Sequence, residues 1–211
     1  MPIVSFVTQK GGSGKSTLAI NCAVAASQSG RRVALLDMDA QRTAETWASK
    51  REAAEPEVMK ISSGELHDAL KAAQKVNFEW VLIDTPGQHA PGAAAAIQVA
   101  DLCVIPCRPT WPDLEAIKPT VEATRRQDKA AVVVLTQTPW RSYRIAEANE
   151  LLGESLKVCP VNIVSRTAYQ DALGLGLGVT EFDPEGKAAE EMTELWKWIR
   201  QYANKASHGK T

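Results

Sequence analysis

The chain has 211 residues, and 45% of them are hydrophobic, which is enough for one buried core and predicts a single domain over residues 1–211. Its 24 basic and 25 acidic side chains nearly cancel, so the composition excludes a protein that attracts nucleic acid through its overall charge. No apolar run reaches the roughly 18 residues of a membrane span, and no signal-peptide pattern opens the chain, which predicts a cytoplasmic protein. Four scattered cysteines without a C-x-x-C pair predict reduced, buried thiols.

A glycine-rich loop follows directly on the first predicted strand, residues 2–7, and leads into an apolar helix over 18–26. The loop reads Lys10, Gly11, Gly12, Ser13, Gly14, Lys15, Ser16 and Thr17. Strand, glycine loop and helix form the context of a phosphate-binding loop, although Gln9 replaces the leading glycine of the general motif. Such a loop cradles a polyphosphate with its N–H groups, with Lys15 on the β- and γ-phosphates and Ser16 on Mg²⁺. A chance turn is disfavoured because all three features agree.

Lys10 is a second lysine at the start of the loop, where one nucleotide needs only Lys15. The pattern K-G-G-x-G-K-S-T resembles the deviant Walker A motif of the ParA/MinD family of dimerising ATPases. The resemblance implies ATP and Mg²⁺ as ligands and catalytic roles for both lysines. It also implies that Lys10 reaches across a dimer interface to the nucleotide of the other subunit, so that ATP closes a homodimer.

The second predicted strand, residues 31–39, ends in carboxylates, as strands that build a site in a parallel α/β sheet do. Asp37, Asp39 and Gln41 form D-x-D-x-Q, which matches the family's second motif. The resemblance implies that Asp39 positions or activates the attacking water, that Asp37 lies near Mg²⁺, and that Gln41 belongs to the switch region. The alternative is a pair of solvent-exposed strand-end carboxylates.

A Walker B pattern follows a predicted helix over 43–53, a short strand over 58–61 and a helix over 64–74. Apolar residues 80–83 precede Asp84, whose carboxylate is expected to hold Mg²⁺ through its water shell. Thr85, Pro86 and Gly87 follow as a predicted switch loop that senses the γ-phosphate together with Asp84.

Strands and helices alternate through the rest of the chain. Further strands are predicted at 102–106, at 130–136 and within 156–164, and further helices at 92–99, 112–127, 143–152 and 187–202, with Pro119 expected to kink or interrupt the second of these four helices. This rhythm predicts an α/β fold with a doubly wound, mostly parallel sheet and helices on both faces. Thr136 ends a strand where the resemblance places a contact to adenine.

A basic surface is predicted near the C-terminus, where the chain resembles small, ParF-like partition ATPases without an N-terminal helix-turn-helix extension. That resemblance implies contacts to DNA phosphates from Arg166, just past the last strand, and from Lys197, Arg200 and Lys205. Such a strip would bind DNA without sequence preference. The alternative is an ordinary solvated helix face, followed by a flexible tail over about 204–211.

The resemblance to ParA-type ATPases implies a nucleoid-associated ATPase that forms an ATP-dependent dimer, binds nonspecific DNA and moves a plasmid or chromosome region, with hydrolysis stimulated by a ParB-like partner. Positioning of a protein assembly, such as a chemoreceptor cluster or a carboxysome, by the same cycle is an open alternative. Other rivals are an iron–sulfur carrier ATPase, a small-molecule kinase and a MinD-like membrane regulator. The last is disfavoured because residues 203–211 contain no large apolar side chain to insert.

Overall fold

The structure is a computed structural model that describes residues 1–87, 91–139, 143–153 and 156–208. The strands are β1 Ile3–Phe6, β2 Val33–Asp37, β3 Glu57–Lys60, β4 Trp80–Asp84, β5 Leu102–Cys107, β6 Ala130–Leu135 and β7 Lys157–Val158. The helices are α1 Lys15–Gln28, α2 Thr43–Ala48, α3 Leu66–Lys75, α4 Pro91–Val99, α5 Trp111–Arg126, α6 Tyr143–Gly153, α7 Thr167–Gly174, α8 Val179–Phe182 and α9 Lys187–His208.

One sheet carries all seven strands of the described ranges, in the order β3-β2-β4-β1-β5-β6-β7, and every pairing is parallel. Chain order changes direction beside β1, which lies between β4 and β5. Parallel strands leave their carboxyl ends at one edge, and ligands bind where the strand order reverses. The loops after β1, β2, β4 and β6 therefore meet at one place.

The sheet is covered on both faces because successive strand residues point to opposite sides. On one face, Leu82 and Val104 pack with α1 and α9 in a large apolar cluster. On the other face, Ile83 packs against α3 and α4, and Ile105 packs against α5 and α6. The predicted doubly wound α/β fold is confirmed, and the sheet is parallel throughout.

Two predicted helices have different ends in the structure. Helix α2 stops at Ala48, because Trp47 Nε1 donates to Leu177 O (3.1 Å) and Arg51 leaves the helix to form an ion pair with Glu181 (2.7 Å). Helix α9 instead continues to His208, so the flexible tail predicted from residue 204 is wrong for residues 204–208. Burial of Ala203 extends the apolar face by one more turn. Residues 209–211 lie outside the described ranges.

Helix α5 runs through Pro119 without interruption. A proline in a helix removes one backbone donor, and the loss is local. Ile117 and Val121 are both buried on either side of it, so packing holds the helix together across the gap.

Among the described residues, no helix is both long and apolar enough to cross a bilayer.

Candidate nucleotide and magnesium site

The glycine loop joins β1 to α1, as predicted. Gly12 (φ 71°) and Gly14 (φ 97°) lie in the left-handed region, which other residues adopt only with strain. Gly14 precedes α1, whose first turn has neither a side-chain cap nor an acidic residue. The first N–H groups of the helix and its positive end are therefore available to an anion.

Two side chains that follow β6 hold this loop in place. Thr136 Oγ1 donates to Ser13 O (2.8 Å), and Gln137 Nε2 donates to Gly12 O (2.7 Å). Because these two loop carbonyls accept hydrogen bonds from residues after β6, their oxygens point away from the position of a bound phosphate. Thr136, predicted as a base contact, is buried and braces the loop. Gln137 has the same role, which the sequence pattern did not assign.

The Lys15 ammonium lies in the middle of the cradle. Its Nζ is 3.5 Å from Lys10 O, and a side chain at Gly87 would bring Cβ within 3.6 Å of it. Burial lowers the pKa of Lys15, while the nearby carboxylates of Asp84 and Asp39 raise it again. A buried cation that is only partly matched by carboxylates is ready to receive a phosphate.

Asp84 ends β4 and is completely buried. Burial raises its pKa to about 7; the Ser16 hydroxyl lowers it, Asp37 raises it, and Lys15 lowers it. Although Ser16 lies beside the carboxylate, neither Asp84 oxygen accepts a hydrogen bond of good geometry from the described residues. Two buried carboxylate oxygens without hydrogen-bond donors, together with the Ser16 hydroxyl, form a set of oxygen ligands that fits Mg²⁺.

Asp37 ends β2 directly beside Asp84 in the sheet. Its two oxygens accept the backbone N–H groups of Asp39 (3.0 Å) and Glu45 (3.0 Å). Burial raises the pKa of Asp37, and these bonds oppose that rise. Asp37 therefore shapes the loop that carries Asp39, and its predicted place near Mg²⁺ receives less support than that of Asp84.

An open cavity of about 600 Å³ joins these elements. It is lined by the loop residues Gly11 to Thr17, by Asp39 and Gln41 after β2, and by Pro86 and Gly87 after β4. Asp39 Oδ1 accepts the N–H of Gln41 (2.9 Å), which fixes the carboxylate at the wall. Of the predicted switch residues, Gln41, Pro86 and Gly87 line the cavity. Thr85 is buried and its hydroxyl donates to Phe6 O in β1 (2.7 Å). We call this space the phosphate cavity.

A second, smaller cavity of about 160 Å³ lies on the other side of the loop. Gly14 and Thr17 form its floor, Thr136 and Gln137 one wall, and residues 163–166 with Tyr169 and Gln170 the opposite wall. Its lining mixes polar and apolar groups, as a nucleoside needs. We call it the nucleoside cavity.

Lys10 does not point toward the phosphate cavity. Its Nζ lies 3.7 Å from Asp113 Oδ1, at the start of α5, and the lysine side chain is 38% exposed. Burial raises the pKa of Asp113, but hydrogen bonds from Thr110 and Arg108 outweigh it and the net pKa is lowered, so the carboxylate stays charged. Asp113 is thus a site residue that the motifs did not identify, because it lies far from Lys10 along the chain.

The predicted DNA-binding residues fall into two groups. Lys197 is 58% exposed on α9, with Glu194 at 3.6 Å, and Lys205 is exposed further along the same helix. Arg200 is half-buried there. Arg166 instead lines the nucleoside cavity, and its guanidinium is paired with Glu191 (2.7 Å).

Known proteins resemble this chain over most of its length. Residues 4–192 match the model of the CobQ/CobB/MinD/ParA nucleotide binding domain. The chain is 31% identical over 194 residues to the maintenance of carboxysome distribution protein A of Gloeobacter kilaueensis, covering 90% of this chain and 88% of that protein. It is 29% identical over 187 residues to protein ParA of Rhizobium radiobacter, covering 83% and 84%.

A solved structure has the same fold. The septum site-determining protein MinD of Pyrococcus horikoshii, complexed with Mg-ADP, superposes with a TM-score of 0.77 at 18% identity, covering 97% of this chain and 98% of that one. Together with the family match over residues 4–192, the phosphate-binding loop and the strand-end carboxylates, this establishes that the chain belongs to the CobQ/CobB/MinD/ParA nucleotide-binding family and is a ParA/MinD-family ATPase.

Proposed function

We propose that this ATPase is a ParA-type partition or positioning protein in which ATP and Mg²⁺ close a homodimer. The dimer binds DNA without sequence preference, and a ParB-like or other activating partner stimulates hydrolysis and so releases the DNA. The observation that carries the proposal is the placement of Lys10. Its ammonium lies beside Asp113 at an exposed edge of the loop, which supports a role toward a second subunit rather than toward its own phosphate cavity.

Within one subunit we assign the following roles, which the geometry of the phosphate cavity supports. The N–H groups of Gly11 to Thr17 and the Lys15 ammonium hold the triphosphate. Ser16 and Asp84 would hold Mg²⁺, with Asp37 shaping the loop beside them, and the metal would supply positive charge to the phosphates. Asp39 orients the attacking water from the wall of the phosphate cavity. Pro86 and Gly87 border that cavity and register the γ-phosphate.

Dimer closure requires Lys10 to exchange Asp113 for the partner's nucleotide. The lysine is more than a third exposed, so its attraction to Asp113 is screened by water and is weak. Arg108 and Thr110 remain on Asp113 when Lys10 leaves, so the carboxylate is not left without donors. Release therefore costs little compared with the phosphate contact that replaces it.

Light scattering after gel filtration, with ADP or with a non-hydrolysable ATP analogue, tests the dimer. We expect a monomer with ADP and a dimer with the analogue and Mg²⁺. DNA retention at increasing salt concentration is measured on the same samples, and we expect retention only for the dimer. A monomer with every nucleotide would overturn the proposal.

The cargo has two candidates. A plasmid or chromosome region is supported by the similarity to ParA, and a protein assembly such as a carboxysome or chemoreceptor cluster is supported by the 31% identity to a carboxysome distribution protein. Deleting the gene and following both a labelled plasmid and labelled protein assemblies distinguishes them, because only the true cargo loses its regular spacing. ATP-dependent binding to liposomes, or cluster absorbance in the purified protein, would instead favour the membrane or iron–sulfur rivals.

A further inference from the structure

One side chain outside the phosphate cavity receives an unusual number of hydrogen bonds. Glu191, near the start of α9, accepts bonds from Arg166 Nε (3.1 Å) and Nη2 (2.7 Å) on one oxygen. Its other oxygen accepts the Val164 N–H (3.2 Å) and the Tyr169 hydroxyl (3.2 Å). The Glu191 side chain is only 15% exposed, so these bonds are formed largely away from water.

All three donor residues line the nucleoside cavity. The wall they form follows β7, which has only two residues. On the side of β6 the wall is held by Ile163 N to Leu135 O (2.9 Å) and Ser165 N to Thr138 O (3.0 Å). On its other side, Glu191 accepts most of the hydrogen bonds that join the wall to α9, and Ala188 O lies 3.4 Å from the Tyr169 hydroxyl.

The same helix carries the basic residues proposed for DNA. Lys197, Arg200 and Lys205 follow Glu191 on α9, and the buried face of α9 packs against α1, which begins in the glycine loop. A displacement of the cavity wall therefore acts on α9 through charge-assisted bonds, which are stronger than neutral ones.

We infer that Glu191 is a positioning residue that couples occupancy of the nucleoside cavity to the placement of α9. A nucleotide that orders the cavity wall also orders α9 through this carboxylate, and by reciprocity a partner that binds α9 strengthens nucleotide binding. The inference rests on the proposed function only for the role of α9 in DNA binding.

Glu191→Gln tests the coupling with little change of size. An amide keeps one oxygen as an acceptor but turns an N–H₂ group toward the two donors that the other carboxylate oxygen served, and it cannot accept their hydrogen bonds. We expect nucleotide affinity to fall about tenfold, the loss of one charged hydrogen bond. Glu190→Gln is the matched control, because Glu190 is the neighbouring residue, is exposed and is paired only with Lys187 among the bonds described.

Hydrogen exchange followed by mass spectrometry is the decisive measurement, with and without saturating nucleotide and Mg²⁺. In the wild type and in Glu190→Gln, nucleotide should slow exchange in the glycine loop, in residues 163–170 and in the first half of α9. In Glu191→Gln, the glycine loop should still respond and α9 should not. Equal responses of α9 in the wild type and Glu191→Gln, or no response of α9 in the wild type, would overturn the inference.

A second variant covers the case in which Glu191→Gln does not fold. Tyr169→Phe removes one donor and keeps the ring in the core, and it should reduce the α9 response without abolishing it. An α9 response equal to that of the wild type would count against the coupling. DNA binding is read out separately. If the wild type binds no DNA in any nucleotide state, the proposed function loses its DNA step, while the exchange results still decide whether Glu191 couples the cavity to α9.

Discussion

The phosphate cavity and the wall of the nucleoside cavity hold their charges in opposite ways. In the phosphate cavity, burial lowers the pKa of Lys15 and raises that of Asp84, and both Asp84 oxygens lack donors among the described residues. In the nucleoside wall, Arg166 and Glu191 are paired directly, and burial is compensated by hydrogen bonds. We expect a nucleotide and a metal ion to complete the first region, whereas hydrogen bonds within the protein already satisfy the second. The phosphate cavity is therefore suited to binding phosphate and metal, and the Arg166–Glu191 pair is suited to holding the wall of the nucleoside cavity in place.

The largest expected effect is on turnover in the phosphate cavity. Asp39→Ala removes the carboxylate that we propose orients the attacking water, and it should lower the ATP hydrolysis rate about 10²- to 10⁴-fold, while ATP-dependent dimerisation remains. Steady-state phosphate release measures the hydrolysis rate, and light scattering measures dimerisation. Asp171→Ala, an exposed carboxylate on α7, is the control and should hydrolyse ATP like the wild type. A rate near that of the wild type for Asp39→Ala would remove this residue from catalysis.

The next effect separates the two lysines of the loop. Lys15→Gln should weaken nucleotide binding by about 10²-fold or more, because it deletes the buried cation beside the phosphates. Lys10→Gln should leave the affinity of the monomer within about threefold and prevent dimerisation, because its ammonium lies with Asp113 outside the cavity. Calorimetric titration with ADP and with an ATP analogue measures the nucleotide affinity of both variants, and light scattering measures the dimerisation of Lys10→Gln. Retained affinity in Lys15→Gln would contradict the contrast between the two regions.

Asp84 should make the stability of the ligand-free protein fall as the pH rises. Its folded pKa is about 7 against an ordinary value of 3.8, so the folded state binds the proton more tightly than the unfolded state. The free energy of unfolding should therefore decrease between about pH 4 and pH 7, by at most about 1.4 kcal/mol for each pH unit. Urea unfolding of the wild type and Asp84→Asn without Mg²⁺ measures this, and the variant should lack the Asp84 contribution. An identical pH dependence in both proteins would show that Asp84 is not the group responsible.

The smallest effect distinguishes α9 from the nucleoside wall as a DNA surface. Lys197→Gln with Lys205→Gln should weaken DNA binding moderately and reduce the salt slope by about 0.9 for each DNA phosphate that is no longer neutralised. Arg166→Gln should instead reduce nucleotide affinity and thermal stability, because it breaks the pair with Glu191. Lys187→Gln, at the exposed start of the same helix, is the control. A salt slope that changes only in Arg166→Gln would move the DNA surface to the nucleoside wall.

Those parts of the site that are local in the chain could be predicted. The loop from Lys10 to Thr17 and the strand-end residues Asp37 and Asp84 follow from short patterns, because each strand and its loop are continuous in sequence. The alternation of strands and helices predicts the parallel sheet for the same reason. Asp37 is a predicted metal ligand, and in the structure its oxygens also accept backbone N–H groups from the loop that follows β2. These hydrogen bonds depend on the fold of residues 38–45, which the short motif does not describe.

The remaining features depend on contacts between distant segments. Asp113 contacts Lys10 only because β5 lies beside β1. The sequence of a single strand does not predict which strands will be its neighbours in the sheet. Glu191 meets Arg166 because α9 lies against the segment that follows β7, and the apolar spacing of α9 predicts its buried face but not the partner of one glutamate. Arg166 lies just past the last strand, as predicted, but its guanidinium forms an ion pair with Glu191.

All four cysteines of the chain are free and buried, and burial raises the pKa of Cys107 and Cys159 to about 12. Alkylating reagents attack the exposed thiolate, so the native thiols should be inert to maleimides at neutral pH. A cysteine introduced on the outer face of α9 would then be the sole point of attachment for a fluorophore. The wild-type background is thereby suited to following subunit exchange by energy transfer, without first removing any native residue.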